Sequence, residues 1–369
     1  MEFEISNEQK LLYTFVKVFI RAAPQKDLAK FLSEKPIDWN EFLQLAIKHK
    51  LVPIIYFVFN RMNLKTKFPN IHKILNARCK KRIARRPHLL NELVRVSARY
   101  KEEGIQVLSY KGVILSNLYY KNPLLRDFVD IDLAIQESDL EKSIPIMIEL
   151  GYELHKEQTL TDDIKKMRSY DIDFSWVIKD ESGRITCNTE LHWQPSHNVL
   201  WVPTRFDQIM DRVLTTNINN KEVDCFEEII HIVLIIIHHG IVDGWGQLRH
   251  LVDLVRIMQT INDEQKSKLI AKCKEHRIYN ALLTGAEIVS QLFNIDLLPN
   301  QDNPKKIVNL AKEMAPLILQ NELSGKWSEQ KIKLKFYLRM RDSLLDQIKS
   351  LFVFSKFYFS SKKDKKILT

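Results

Sequence analysis

The chain has 369 residues, 45% of them apolar and 28% charged, with nine glycines and a net charge of +10. Such usage excludes collagen, a continuous coiled coil and bulk disorder, and the length suffices for two or three packed regions. Scarce glycine beside abundant leucine, isoleucine, lysine and glutamate leans helical.

The first hundred residues read as helices. Residues 8–21 carry apolar side chains at Leu11, Leu12, Phe15, Val16, Val18 and Phe19, a helical period. Asp38, with Glu41 three residues on, predicts an N-cap for a helix to about residue 50. Pro53 opens a short apolar helix, and a long one follows Pro69 to about residue 103, with Pro87 a candidate kink. Between Lys65 and Lys101 stand twelve lysines or arginines against one acid, Glu92, so this segment holds all of the excess charge. It predicts a solvated helix face ahead of a polyanion-binding surface, since no aromatic residues alternate with the charges. A second basic cluster is the tail SSKKDKKILT.

At Gly104 the texture changes. Residues 105–110 predict a short strand, Lys111 and Gly112 a turn, and residues 113–120 a helix. Residues 128–135 alternate with period two and predict a buried strand. Ser138 predicts the cap of a helix ending at Gly151. Residues 170–178 and 185–193 predict two strands around a hairpin turn at 179–183. From residue 203 the pattern is helical again, over about 226–239, 246–260, 264–276, 279–293, 305–319 and on to about 358. The expected organisation is a helical region over 1–103, a mixed-sheet core over 104–202 and a helical region over 203–369.

Cys79, Cys187, Cys225 and Cys273 lie far apart with no CxxC pair, so neither a zinc ribbon nor a disulfide framework is indicated, and a reducing compartment is expected. The polar start MEFEISNEQK does not read as a signal peptide. The most apolar run, residues 229–237, spans nine residues where a membrane crossing needs about 20. A soluble, cytoplasmic protein with no membrane partner is expected.

The chemistry concentrates in the middle. In a strand, positions i and i+2 share a face about 7 Å apart, so Asp130 and Asp132 converge while Val129, Ile131 and Leu133 face away. Two such acids repel unless a cation lies between them, and Mg²⁺ suits carboxylate oxygens with substrate phosphates. Upstream, Lys111 and Gly112 open a helix whose first N–H groups form an anion site. Downstream, Glu190 offers a third carboxylate from a later strand, with His192 on its face as either a contact to carboxylate or nucleotide or a half-buried structural histidine. Arg126 is placed either to pair with Asp130 or to reach a phosphate. Asp171 and Asp173 form a competing pair, expected to rim the acceptor pocket. His238 and His239 invite a zinc reading, but with no cysteine or further histidine at ligand spacing a structural or helix-terminal role is expected. Trp193, Trp201 and Trp245 are expected in packing.

The segments LSYKG at 108–112, LLRDFVDIDL at 124–133 and ELHW at 190–193 together resemble an uncharacterised nucleotidyltransferase family of the polymerase-β-type superfamily. The stretch IHHG at 237–240 with Trp245, Leu248 and Asp253 is similar to the family's helical segment. The resemblance implies an α+β fold with a small mixed-sheet nucleotidyltransferase core between helical N- and C-terminal regions. It implies an Mg²⁺-dependent transferase with two ions held by Asp130, Asp132 and Glu190. Lys111, Gly112, Arg126 and His192 would bind an NTP such as ATP. A nucleoside monophosphate would pass to a hydroxyl acceptor (small molecule, peptide or protein ahead of RNA) with release of pyrophosphate. One departure is that Lys111 and Gly112 stand where the superfamily has Gly-Ser or Gly-Gly, so no hydroxyl is available there. That keeps open an inactive module binding a nucleotide, RNA or partner protein.

Overall fold

A computed structural model describes residues 5–155, 172–197, 200–299, 301, 303–323 and 331–361. The N-terminal helices are α1 (Asn7–Phe19), α2 (Gln25–Glu34), α3 (Trp39–Lys48), α4 (Val52–Arg61) and α5 (Pro69–Glu102). Local chemistry sets their ends. Ser6 and Gln9 form a reciprocal capping box on α1. Asp38 accepts from the N–H groups of Asn40 and Glu41, closing α3 at its start as its type predicts.

Next come β1 (Leu108–Ser109), α6 (Gly112–Tyr119), β2 (Ile131–Ala134), α7 (Leu140–Glu149), β3 (Glu153–Leu154), β4 (Asp173–Lys179) and β5 (Ile185–His192). A hairpin of β6 (Val213–Ile218) and β7 (Lys221–Phe226) follows, within the stretch expected to be helical. The turn between them puts Asn219 and Asn220 in left-handed conformations, φ 51° and 63°, which asparagine tolerates and a tight hairpin requires. Among the described residues, seven strands form one mixed sheet in the order β3-β4-β5-β2-β1-β7-β6, with β2–β5 and β1–β7 parallel. The C-terminal helices are α8 (Glu228–Ile236), α9 (Leu248–Thr260), α10 (Asp263–Glu275), α11 (Tyr279–Phe293), α12 (Lys305–Leu319), α13 (Lys331–Arg339) and α14 (Leu344–Ser361).

Two apolar cores result. Leu89, Leu93, Val96 and Tyr100 of α5 and Met147 of α7 pack on Ile131, Leu133, Phe174 and Leu191 of the sheet. The other core joins Phe15, Phe42 and Phe59 from the first helices to the apolar faces of α8, α9, α11 and α12. The two ends of the chain therefore share one core, which also takes in Leu108, Ala134 and Phe226 from the sheet. All four cysteines are buried and free. Among the described residues, no helix is long and apolar enough to cross a membrane.

The basic helix α5 is put to mixed use. Arg82 pairs with Asp127, Arg85 reaches the carbonyls of Ile185 and Thr186, and Arg86 those of Pro123 and Arg126. Arg95 pairs with Glu92, and Arg99 with Glu103 and Glu149. These arginines clamp the helix to the core, while Lys73, Arg78, Lys80, Lys81 and Lys101 stay on the exposed face.

One contact ties the two ends of the chain and carries a pH signature. His49 is fully buried, and its Nδ1 accepts from the Leu248 N–H, a first-turn donor of α9 without an intrahelical acceptor. Burial, helped by Lys48, pushes its pKa down to about 4. The unfolded chain therefore binds more protons than the folded one between about 4 and 6.5, so stability rises with pH across that window and is lost on acidification. Buried His231, lowered to about 3, acts with the same sign. Melting temperature is expected to fall from pH 7 to pH 4.5, with a shallower slope in His49→Gln. Equal slopes in the two proteins would overturn the assignment.

Candidate active site

The site grows from strand register. Parallel pairing sets Asp132 of β2 directly beside Glu190 of β5, and Ala134 beside His192. Neighbouring strands are about 4.8 Å apart, so the two carboxylates stand on one face of the sheet. Antiparallel pairing then brings Asp173 of β4 opposite His192. Asp130, two residues before Asp132, lies just outside β2 and lines the same cleft.

The helix entry lies against these acids. The chain leaves β1, turns at Lys111 and enters α6 at Gly112. Lys111 has φ 58° and ψ −128°, a conformation that glycine favours and that costs a lysine about 1–3 kcal/mol. Its buried ammonium is what compensates. Nζ lies 3.0 Å from Asp132 Oδ1 and 3.4 Å from His192 Nε2. A Cβ on Gly112 would come 3.2 Å from Phe128 Cβ and 3.6 Å from Asp132 Oδ2, so the bare backbone is what admits this approach.

His192 is fully buried rather than half-buried, at the centre of the acids. Its Nε2 lies 3.3 Å from Glu190 Oε2 and 3.5 Å from Asp132 Oδ1, and its Nδ1 lies 3.6 Å from Asp173 Oδ2. Asp132, Glu190 and His192 offer ligand-type atoms that all lie within 4.8 Å of one another. Burial alone would raise the Asp132 carboxyl, but Lys111 and His192 overcome it and hold it well below the usual carboxylate range. Asp130 goes the other way: burial, then Asp132 and Glu190, push it up to about 6. Burial and Lys111 oppose the imidazolium of His192, yet Asp173, Asp132 and Glu190 raise its pKa on balance.

Arg126 lines the same cleft but makes its ion pair with Asp253 rather than Asp130. It is buried, with Nε 3.0 and 3.1 Å from the two oxygens of Asp253 and Nη1 3.3 Å from the Gly112 carbonyl. Asp253, fully buried, also accepts from Tyr120 Oη at 2.5 Å and faces His239 Nε2 at 3.0 Å. The arginine thus braces α6 against α9, and its charge is already matched.

The cleft, about 490 Å³, is completed by residues the sequence did not single out: Lys50, Arg249, Gln247, Asp243 and His250. Lys50 arrives from the turn after α3, and Arg249 from α9. No local spacing links either to Asp132, which is why pattern alone missed them. His238 and His239 also line this wall, in a π-helical turn over Ile237–Val242. The sequence has no further histidine at ligand spacing from them; in the fold Asp243 lies 3.2 Å from His238, and His250, from α9, stacks on His239. Of the competing acidic pair, Asp173 sits beside His192, while Asp171 lies outside the described residues. Trp193 and Trp245 are fully buried, as packing residues should be; Trp201 is half-buried.

The arrangement combines an acidic patch, an N-terminal helix turn and several cations in one cleft, a setting for handling a polyphosphate. A family model described as an uncharacterised nucleotidyltransferase matches residues 35–294. No curated protein matches the chain. Among solved structures, the crystal structure of an antigenic nucleotidyltransferase-like protein from Paracoccidioides brasiliensis aligns at 12% identity with a TM-score of 0.33, covering 56% of this chain and 92% of that one.

Proposed function

The chain belongs to the uncharacterised nucleotidyltransferase family, and from that premise we propose that it moves a nucleoside monophosphate from an NTP to a hydroxyl acceptor, dependent on Mg²⁺. The observation that carries the proposal is the side-by-side register of Asp132 and Glu190 next to the helix entry at Gly112. The donor set fits a hard divalent cation: carboxylates crowd one face, and Asp130 is raised to about 6 by burial and by repulsion from Asp132 and Glu190. Asp132 and Glu190, with Asp130 beside them, would hold the metal. Mg²⁺ there would supply charge neutralisation for the reacting phosphate and lower the pKa of the attacking oxygen.

The remaining work belongs to the protein's own groups. Lys111, released from Asp132 when another cation takes its place, can turn to a phosphate across the start of α6. Lys50 and Arg249 supply positive charge from the cleft wall, a part the sequence had given to Arg126. Arg126 acts from behind by fixing α6, and His192 holds Asp132 and Glu190 in orientation. The acceptor hydroxyl oxygen forms the new bond to the α-phosphorus as the α–β oxygen bridge breaks. Pyrophosphate leaves, and the hydroxyl proton passes to Glu190 or solvent. Positioning and charge stabilisation account for most of the rate in such transfers.

The test is incubation of the purified chain with each α-labelled NTP, Mg²⁺ and host lysate. Label should enter one acceptor species, pyrophosphate should appear, and both should vanish when Mg²⁺ is chelated. A second reading, binding without turnover, is favoured by one observation: Lys111 already neutralises Asp132 at a helix entry that lacks a hydroxyl. A melting temperature raised by Mg²⁺ and NTP with no label transferred would select it, and no response to either would defeat both readings.

A further inference from the structure

We propose that His238, His239 and Asp243 form a second metal site, for a borderline transition cation of the Zn²⁺ type, on the wall of the same cleft. Neighbouring helical residues normally point about 100° apart and do not meet. Here the wider π-turn lets them: His238 Nδ1 lies 3.2 Å from His239 Nδ1 and 3.2 Å from Asp243 Oδ2. Ligand atoms of the three residues all fall within 4.8 Å of one another. A tetrahedral zinc with ligands at about 2.0–2.2 Å needs its donors about 3.4 Å apart, which is close to these separations.

The surroundings support the assignment independently. The far nitrogen of His239, Nε2, sits 3.0 Å from Asp253 Oδ2, the carboxylate–histidine arrangement that fixes a ring so its other nitrogen faces a metal. His250 stacks on His239 with ring centres 4.2 Å apart, and its Nε2 lies 3.4 Å from Asp243 Oδ2. Only 2% of His250 is exposed, and neither ring nitrogen makes a hydrogen bond among the described residues. A polar ring so placed, aimed at a carboxylate, is ready to orient Asp243 or to become a fourth donor. The turn itself is held from outside: Gly240 lies against Trp245, where a Cβ would come 3.1 Å from the indole. Two imidazoles and one carboxylate favour zinc, cobalt or nickel over magnesium, which prefers oxygen donors alone. Three ligands leave a coordination position for water or a substrate oxygen, since His238 and Asp243 are partly exposed on the cleft side.

The test measures metal rather than activity. Chelator-stripped full-length protein is equilibrated with Zn²⁺, dialysed and assayed for bound metal, and Co²⁺ is titrated while its visible spectrum is followed. Wild type and Asp132→Asn should each retain one zinc equivalent and give the absorption of a low-coordinate cobalt site with nitrogen donors. His238→Ala and Asp243→Ala, both at partly exposed positions, should weaken binding at least tenfold, and His238→Gln with Asp243→Asn serve if either alanine variant fails to melt cooperatively. Absence of retained zinc in wild type overturns the proposal. So does a metal lost in Asp132→Asn but kept in the His238 and Asp243 variants, because that places it on the acidic patch. Either result leaves the nucleotide-transfer reading to its own Mg²⁺ test.

Discussion

Asp132→Asn is expected to lower Mg²⁺-dependent label transfer about a thousandfold, near 4 kcal/mol of barrier, while the protein still folds. The amide keeps the shape and one acceptor but cannot supply the charge that holds a catalytic cation. From sequence, the same change should relieve repulsion between Asp130 and Asp132. The structure reverses that sign, because Lys111 Nζ stands 3.0 Å from Asp132 and is itself buried. Removing the carboxylate leaves the ammonium short of a partner, so the metal-free variant should lose about 1–3 kcal/mol of stability. Asp173 faces His192 rather than Asp132 or Glu190 in the strand register, and the transfer rate of Asp173→Asn should stay within about tenfold of wild type. Parallel labelling assays and melts decide this. Transfer by Asp132→Asn within tenfold of wild type would show that the carboxylates are not the metal ligands.

Asp253→Ala is expected to cost about 3–5 kcal/mol, lowering the melting temperature by about 5 °C. Asp253 is fully buried and takes Arg126, Tyr120 and His239 at once. Truncation leaves a buried guanidinium unmatched and a phenol without its acceptor. Burial would raise the Asp253 carboxyl, but Arg126 and His239 hold it well below the usual range, so the charged form stabilises the fold at neutral pH. The double change Arg126→Met with Asp253→Leu should recover much of the loss, since no lone charge stays behind. Chemical denaturation of wild type and the two variants checks both statements. A loss below 1 kcal/mol in Asp253→Ala would mean that water reaches this pair.

Local geometry accounts for what was legible in the sequence. The i, i+3, i+4 rows of α1, α3 and α9–α12 and the alternation in β2, β4 and β5 are properties of neighbouring residues, and they placed those elements to within a few positions. The same holds for the turn at Lys111 and Gly112 and for the two aspartates beside it. The hairpin of β6 and β7 went unseen because its outer strand is largely exposed and its inward face, Leu214, Thr216 and Ile218, carries only two apolar residues. Its paired asparagines were the signal available.

What only tertiary structure decided are the partners. Register made Asp132 and Glu190 neighbours across 58 residues of chain, and packing of α9 on α6 took Arg126 to Asp253 rather than to Asp130. The joint core of the two chain ends brought Lys50 and Arg249 into the cleft, and a π-turn folded Asp243 back on His238. Sequence period says which face a residue occupies, because the backbone repeats every two or every 3.6 residues. It says nothing of which distant face that one will meet, since that choice is made by burying the apolar surfaces of the whole chain together.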